Sequence, residues 1–161
     1  MIPLKFRPAS ISDLDLLKFW DQQPHIIEAG ANDWDWDKDL NESAEWRQQY
    51  IIEYDDRPIG FVQIMDPATP ENNYWHPIPN NYKAIDIWIG EKEYLGRGIG
   101  TNIMEMAMDI CFSDPMVEAI VIDPLSSNLR AIQFYKRLGF EHLEDRIMQG
   151  EEIYVMIRKR G

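Results

Sequence analysis

Alternating apolar and polar positions near the start of the chain predict a strand followed by a helix. Leu4 to Pro8 has the pattern of a first strand. Ser12 is expected to cap the next helix, in which Leu14, Leu17 and Phe19 recur at helical spacing. The opening segment therefore predicts a strand that leads directly into an amphipathic helix.

The next segment predicts a second helix and then a β-hairpin. Apolar spacing favours a helix over Asn41 to Gln49 and strands over Tyr50 to Tyr54 and Ile59 to Met65. Asp55 to Pro58 has the chemistry of a tight turn, so these strands are expected to pair. A loop rich in proline and asparagine follows over residues 66–81, and such long loops are usually functional.

Strands and helices alternate again in the second half of the chain. Lys83 to Gly90 has the pattern of a strand with isoleucines on one face and Asp86 and Trp88 on the other. The remaining predicted elements are a helix over Gly98 to Phe112, a strand over Ala119 to Ile122, a helix capped by Ser126 or Ser127, and a hairpin of Phe140 to Met148 with Ile153 to Arg158. This alternation is typical of α/β or α+β architecture.

Length and composition predict one globular domain over residues 1–161. A chain of this size buries about 68–70% of its extended-chain surface on folding. No stretch approaches the roughly 20 apolar residues of a membrane span, and Met1 to Arg7 enters a strand pattern without an apolar signal core. The expected protein is cytoplasmic, with no membrane partner. Cys111 is the single cysteine and is expected to be a buried, inert thiol.

The charge balance argues against a nucleic-acid partner and favours a cationic one. There are 28 acidic and 16 basic side chains, for a net charge of −12. Asn32 to Asp39 interleaves four carboxylates with two indoles, and such a surface suits a polyamine or an aminosugar, with Trp34 and Asp35 as candidate contacts. The alternative is an acidic helix start whose tryptophans face the core, and the sequence leaves both open.

Two segments carry the clearest chemical signal. Gly96, Gly98 and Gly100 stand just before a predicted helix, and such a loop leaves backbone N–H groups able to hold phosphate, although a tight turn also uses glycines. Asn128 to Phe140 then has helical apolar spacing that ends at Gly139.

Together these segments resemble the two cofactor-binding signatures of the GNAT superfamily of acyl-CoA-dependent N-acyltransferases. The resemblance implies a mixed, mostly antiparallel sheet that splays between strands 4 and 5 and is flanked by helices. It implies acetyl-CoA as cosubstrate and no metal. It assigns cofactor binding to two runs and two single residues, namely Trp88, Ile89 and Gly90, then Leu95, Gly96, Arg97, Gly98, Ile99, Gly100 and Thr101, then Asn128 and Tyr135. Leu95 stands where the family usually has Gln or Arg.

Within the superfamily the chain is most similar to the aminoglycoside 6'-N-acetyltransferases. The matching segments are Pro58 to Gln63, Ala84 to Asp86, Leu95 to Thr101 and Asp123 to Ile132. This resemblance implies an acceptor site with Asp86, Asp123 and an aromatic flap around Trp75. The acidic density of the chain adds Trp34, Asp35 and Glu151 as candidate acceptor contacts. The resemblance also implies a role in antibiotic resistance.

The expected chemistry is direct transfer in a ternary complex. An alkyl ammonium has a pKa near 10, so it must lose a proton before it attacks a thioester. Asp86 is the candidate base, directly or through a water, and the alternative is a hydrogen-bonded strand aspartate. The resemblance assigns Tyr135 to the leaving thiolate, and the alternative is a packed core tyrosine. His25, His76 and His142 are too scattered for a metal site or a triad.

Two other functions stay open. The acceptor could be another amine, such as a polyamine, a protein N-terminus or a lysine, because these motifs are shared by enzymes with very different acceptors. The chain could also be a non-catalytic acyl-CoA-binding protein, in which Asp86 and Tyr135 are dispensable. The sequence allows a monomer or a homodimer.

Overall fold

A computed structural model describes residues 3–30 and 34–161 of the chain. Within these residues the chain forms seven strands, five α-helices and two short 3-10 turns. The strands and helices in chain order are β1 (Leu4–Pro8), α1 (Leu14–Asp21), α2 (Pro24–Glu28), α3 (Trp36–Asp39), β2 (Arg47–Tyr54), β3 (Arg57–Met65), β4 (Tyr82–Ile89), α4 (Ile99–Phe112), β5 (Ala119–Ile122), α5 (Leu129–Arg137), β6 (Glu141–Met148) and β7 (Glu151–Lys159).

The strands form one mixed sheet in the order β1-β2-β3-β4-β5-β7-β6. The pairs β1 with β2, β5 with β7 and β6 with β7 are antiparallel, whereas β4 and β5 are parallel. A parallel pair needs a long crossover between its strands, and α4 lies in that connection. The predicted α/β class with a mixed, mostly antiparallel sheet is therefore confirmed.

The parallel pairing of β4 and β5 is short. It joins Tyr82–Ala84 to Ala119–Val121, and no pair beyond Ala84 is formed in the part of the chain that the structure describes. Strand β5 continues beside β7 as far as the pair of Ile122 with Met156. Asp86 lies two residues after Ala84, in the carboxyl-terminal half of β4.

The chain divides into two compact units. The first comprises the described residues up to Gln63 together with Asp86–Met104, and the second comprises Ile64–Ile85 with Glu105–Gly161. Strands β3 and β4 each run from one unit into the other. The single domain expected over residues 1–161 stays a prediction.

Each unit has its own buried core. In the first unit a cluster of large apolar side chains is buried, consisting of Leu17, Trp20, Ile26, Trp36, Ile51, Phe61 and Trp88. In the second unit all four residues of β5 are buried. This burial on both faces accounts for the continuous apolar run of β5 in the sequence.

The helix predicted over Asn41 to Gln49 is wrong, because helix α3 ends at Asp39 and strand β2 begins at Arg47. At the end of this segment the N–H of Ala9, which follows β1, donates to the Gln49 carbonyl at 2.9 Å, and Tyr50–Tyr54 then pair with β1. Pairing with a distant strand therefore overrides the local apolar spacing. The short helices α2 and α3 have no counterpart among the predicted elements.

The helix caps predicted at Ser12, and at Ser126 or Ser127, are also wrong. A 3-10 turn over Ile11–Asp13 precedes α1, and the Asp13 carboxylate accepts the Ser10 N–H at 2.9 Å. Ser12 therefore lies inside this turn. Helix α5 is capped by Asn128, whose Oδ1 accepts the Ala131 N–H at 3.1 Å. In both cases a side-chain oxygen of Asp or Asn accepts a backbone N–H at or next to the first turn, and the predicted serine does not.

Both predicted hairpins are confirmed. Asp55 and Asp56 join β2 to β3 with φ of 51° and 64°, and Gln149 and Gly150 join β6 to β7 with φ of 52° and 81°. Two consecutive residues with positive φ form the turn that matches the twist of paired strands.

Candidate active site

Asp86 lies in the carboxyl-terminal half of β4, and a buried amide contacts its carboxylate. Gln63 on β3 donates from Nε2 to Asp86 Oδ2 at 3.0 Å, and Gln49 on β2 donates from Nε2 to Gln63 Oε1 at 2.9 Å. The Gln63 side chain is almost completely buried. Three adjacent strands thus contribute one residue each to a hydrogen-bonded chain that ends on the carboxylate.

Along a strand, the backbone N–H and C=O groups of successive residues point to opposite edges of that strand. The residues at the end of β4 follow this alternation. Gly90 N–H donates to the Ile59 carbonyl at 2.8 Å, and a Cβ on Gly60 would lie 2.6 Å from the Trp88 carbonyl oxygen. Trp88 and Gly90 therefore direct backbone groups toward β3. Of the three residues predicted to pair with the pantetheine, only Ile89 directs its backbone groups to the other edge.

The Ile89 carbonyl has a side-chain partner that the sequence did not suggest. His25 Nε2 on α2 lies 2.8 Å from this oxygen. Because a carbonyl only accepts, Nε2 carries the hydrogen in this contact. His25 therefore contacts the same edge of β4 at which cofactor pairing is expected.

The glycine loop has the geometry of an anion-binding turn. Gly96 and Gly98 have φ of 71° and 77°, and both lie exposed just before α4. A Cβ added at Gly98 would meet no atom within 4 Å, so the space beside its backbone is open. The buried side chain of Ile99 anchors the first turn of α4. Exposed N–H groups at the start of a 14-residue helix suit a pyrophosphate.

Arg97 is the exposed charged residue between Gly96 and Gly98. The Arg97 guanidinium lies 5.2 Å from the Tyr94 ring centroid and donates to the Glu93 carbonyl at 3.5 Å. Leu95, Gly100 and Thr101 are half-buried. The loop therefore offers one cation together with its backbone donors.

Helix α5 carries the two other residues assigned to the cofactor. Asn128 uses Oδ1 for the helix cap, so its Nδ2 group still has hydrogens to donate. Tyr135 is half-buried and packs edge-to-face against Phe134 and Phe140, at centroid distances of 5.2 and 5.9 Å. The two aromatic neighbours fix the plane of the Tyr135 ring.

The predicted acceptor residues Trp75 and Asp123 belong to the second unit. Tyr74, in the loop of residues 66–81, donates its hydroxyl to Asp123 Oδ2 at 2.5 Å. Trp75 is 3% exposed, so its ring lies inside the unit. Arg146 on β6 donates to the carbonyls of Trp75 and Pro77 at 2.8 and 2.9 Å. Asp123 and Arg146 thus hold this loop at two points.

A cleft of about 560 Å³ lies between this loop and the β6–β7 hairpin. It is lined by Asn73, Tyr74, His76, Pro77, Glu144, Arg146, Ile147, Met148 and Gln149. Glu151 is exposed and pairs with Met148 in the sheet. The cleft therefore lies next to one of the predicted acceptor residues.

Three carboxylates of the acidic and aromatic stretch, all within the described residues, have partners in the first unit. Asp35 accepts a backbone N–H of α3 at 3.3 Å. Asp37 pairs with Lys18 at 3.0 Å, and Asp39 pairs with Arg47 at 3.2 Å. These contacts agree with the interpretation of this stretch as an acidic helix start.

The indoles of the same stretch are largely packed. Trp36 is 2% exposed and donates from Nε1 to Asp21 at 2.7 Å. Trp34 is half-buried and stacks on Trp36 at 4.9 Å. Trp34 therefore keeps an accessible face, whereas Asn32 and Asp33 lie outside the described residues.

The remaining candidates for chemistry have structural partners. Burial raises the pKa of the Cys111 thiol to about 12, so the thiol is not a nucleophile at neutral pH. His76 Nε2 contacts the Thr69 carbonyl and His142 Nε2 contacts Asp145, both at 3.0 Å. Over residues 3–30 and 34–161, no three His, Cys, Asp or Glu side chains are grouped to hold a metal ion, and no helix is long and apolar enough to cross a membrane.

Besides His25, four residues near the candidate site were missed by sequence reasoning, namely Gln49, Gln63, Tyr74 and Arg146. Gln63 did carry a signal, because it is the one polar residue in the otherwise apolar run of β3 from Ile59 to Met65. A buried amide in such a strand needs a hydrogen-bond partner. The other three carry no local signal, because their partners are distant in the sequence.

The sequence matches the Acetyltransferase (GNAT) domain family over residues 10–147. Among similar proteins is an aminoglycoside N(6')-acetyltransferase type 1 from Klebsiella pneumoniae, 29% identical over 143 residues that cover 80% of this chain and 69% of the relative. A spermidine N(1)-acetyltransferase from Escherichia coli strain K12 is 25% identical and covers 85% of this chain and 72% of the relative.

Solved structures agree with these relatives. A crystal structure of the aminoglycoside acetyltransferase AAC(6')-Ib in complex with coenzyme A and kanamycin superposes with a TM-score of 0.84 at 27% identity, over 98% of this chain and 95% of that chain. The family match covers most of the sequence, and the seven-stranded sheet carries a glycine loop at the start of α4. The chain belongs to the GNAT family and is an acetyltransferase.

Proposed function

We propose that this protein transfers the acetyl group of acetyl-CoA to the 6'-amino group of an aminoglycoside. The observation that carries the proposal is the Asp86 carboxylate, which Gln63 orients at 3.0 Å on β4, beyond the last residue of β4 that pairs with β5. A carboxylate in the family fold can accept the proton that the amine must lose. The similarity to aminoglycoside acetyltransferases supports the choice of acceptor.

Acetyl-CoA supplies the acetyl group as a reactive thioester. The N–H groups at Gly98, Ile99 and Gly100 are suited to its pyrophosphate, because they lie where the exposed loop enters α4. Asn128 Nδ2 is a further donor for the cofactor. The backbone of Ile89 provides the edge of β4 along which the pantetheine arm can pair as an added strand.

Two side chains carry the proposed proton transfers. Asp86 accepts a proton from the ammonium group, directly or through a water, and its negative charge also favours binding of the cation. A backbone N–H on the edge of β4 that faces away from β3 stabilises the negative charge that develops on the thioester carbonyl oxygen during attack. Tyr135 donates the proton that the departing thiolate requires. No covalent enzyme intermediate is needed.

The proposed acceptor site is acidic and partly aromatic. Asp123 and Glu151 supply charge, and Trp34 and Asp35 supply an accessible indole face and an exposed carboxylate. A net charge of −12 favours a multiply charged cation. Because the Trp75 ring is buried, it acts in this proposal by supporting the loop and not by stacking on the sugar.

Arg146 holds the loop of residues 66–81 through its hydrogen bonds to the Trp75 and Pro77 carbonyls, and this role can be tested. We expect Arg146→Ala to raise the KM for the aminoglycoside roughly tenfold, since two charge-assisted hydrogen bonds to the loop are lost. The KM for acetyl-CoA is expected to stay unchanged. Steady-state kinetics with each substrate varied in turn measures both values.

Arg137→Ala is the matched control, because Arg137 is exposed on α5. An equal rise in both KM values for Arg146→Ala would contradict a specific role of the loop in acceptor binding.

A polyamine is the second candidate acceptor. The similarity to a spermidine acetyltransferase and the acidic surface both favour it. A polyamine requires the same base and the same acyl donor, so the two candidates differ only in the acceptor site.

Thiol release from acetyl-CoA by the purified protein tests the proposal. Kanamycin, tobramycin, spermidine and a lysine peptide are compared, together with an aminoglycoside that carries a hydroxyl in place of the 6'-amine. We expect release with kanamycin and tobramycin only, and a product heavier by one acetyl group. Release with spermidine alone would overturn the acceptor, and equal release with the 6'-hydroxyl compound would overturn the 6' position.

A further inference from the structure

A hydrogen-bonded chain of three side chains crosses β2, β3 and β4. Gln49 Nε2 donates to Gln63 Oε1 at 2.9 Å, and Gln63 Nε2 donates to Asp86 Oδ2 at 3.0 Å. All three residues belong to the first unit. The chain therefore links β2 to the proposed base through one buried amide.

The polarity of this chain is set by the carboxylate. An ionised carboxylate only accepts hydrogen bonds, so Gln63 must direct its NH2 group toward Asp86. Its Oε1 then faces Gln49, which must donate to it. Gln63 is 5% exposed, so solvent has little access to replace either partner. The donor at residue 49 therefore opposes a flip of the Gln63 amide.

We propose that Gln49 is a positioning residue for the reaction, because it fixes the Gln63 amide with its donor toward Asp86. This inference rests on the proposed function, in which Asp86 is the base. A flipped Gln63 would direct a carbonyl oxygen at the carboxylate, which disfavours the charged form that accepts the proton. Gln49 thus acts through Gln63 and Asp86, does not touch the substrate, and is not itself catalytic.

The variant Gln49→Glu replaces the hydrogen-bond donor at residue 49 by an acceptor, while the size of the side chain stays almost unchanged. A carboxylate at residue 49 accepts only, so Gln63 must turn its NH2 group toward residue 49 or leave two oxygens in contact. We expect the acidic limb of the kcat/KM profile to move up by about one pH unit, so that kcat/KM on that limb falls roughly tenfold. At high pH, where Asp86 is ionised in both proteins, the difference in rate should shrink.

Gln48→Glu is the matched control. It introduces the same charge one residue away, but Gln48 is exposed and its Nε2 donates to the Glu45 carbonyl at 3.3 Å. We expect its pH profile to overlay that of the unmodified protein. A Gln49→Glu profile that is lowered equally at every pH, or one that matches Gln48→Glu, would overturn the positioning role.

A second measurement does not depend on activity. Gln49→Glu should lower the thermal midpoint by several degrees when Asp86 is present, since two carboxylates then compete for one NH2 group. In the Asp86→Asn background this loss should be largely relieved, because residue 86 can then donate to a flipped Gln63. Equal losses in both backgrounds would overturn the proposed coupling.

The two tests separate this inference from the proposed function. If the unmodified protein acetylates none of the amines offered, the proposed function fails, while the thermal comparison still measures whether Gln49 and Asp86 are coupled through Gln63. If the unmodified protein is active and Gln49→Glu behaves as Gln48→Glu does, the positioning role alone fails.

Discussion

Replacement of Asp86 by asparagine is expected to lower kcat for acetyl transfer by about 10²- to 10³-fold, the range typical of a lost general base. Asparagine keeps the shape of the side chain, and its Oδ1 can still accept the Gln63 hydrogen bond that Oδ2 accepts now at 3.0 Å. The fold and the affinity for acetyl-CoA should therefore be retained. Thiol-release kinetics measures the rate, and calorimetric titration with acetyl-CoA measures the binding.

Asp56→Asn provides the control for this substitution. It removes the same charge from the β2–β3 turn, where φ is 64° and asparagine is well tolerated. Its kinetics should match those of the unmodified protein. Undiminished turnover in Asp86→Asn would remove Asp86 as the base, and loss of acetyl-CoA binding would show that the substitution disturbs more than proton transfer.

Gly90→Ala is expected to cost about 3 kcal/mol of stability, at the upper end of the usual range for overpacking a core. A Cβ at this position would lie 2.2 Å from Cδ2 of Trp20. Trp20 is fully buried and donates from Nε1 to Glu91 at 2.5 Å, so the ring has no room to withdraw. For a chain of this length the thermal midpoint should fall by roughly 6–12 °C.

Gly150→Ala separates this clash from the general cost of replacing a glycine. Gly150 has φ of 81°, and a Cβ there would meet no atom within 4 Å. We expect only the backbone strain of about 1 kcal/mol for a left-handed residue. Equal midpoints for the two alanine variants would mean that Trp20 can move aside, contrary to the expected packing constraint.

Features with local causes could be predicted from the sequence. The glycine loop, strand β4 with Asp86 and the β6–β7 hairpin each follow from residues within a few positions of one another. Glycines before a helix and paired turn residues act on the neighbouring backbone, so their effect is visible without the fold. The resemblance to the family then predicted that these separate elements belong to one mixed sheet.

Features with distant causes could not be predicted. Strand β2 pairs with β1 from Tyr50 with Pro8 to Tyr54 with Leu4, a long-range pairing that no local pattern encodes. The Tyr74 hydroxyl meets Asp123 across 49 positions in the sequence. The burial of Trp75 has the same origin, because an aromatic residue in a polar loop gives no sign of which side the ring will face.

Most tryptophans of the protein lie in the first unit, so intrinsic tryptophan fluorescence can follow the unfolding of that unit without an added label. Four of the six tryptophans, Trp20, Trp34, Trp36 and Trp88, belong to the buried cluster of that unit or pack against it. Intrinsic fluorescence should therefore report mainly on that unit, whereas far-ultraviolet circular dichroism averages over the helices and strands of both. Coincident unfolding curves from the two signals would indicate one cooperative domain. Separate curves would show that the unit carrying Asp86 and the unit carrying Tyr135 can melt one at a time.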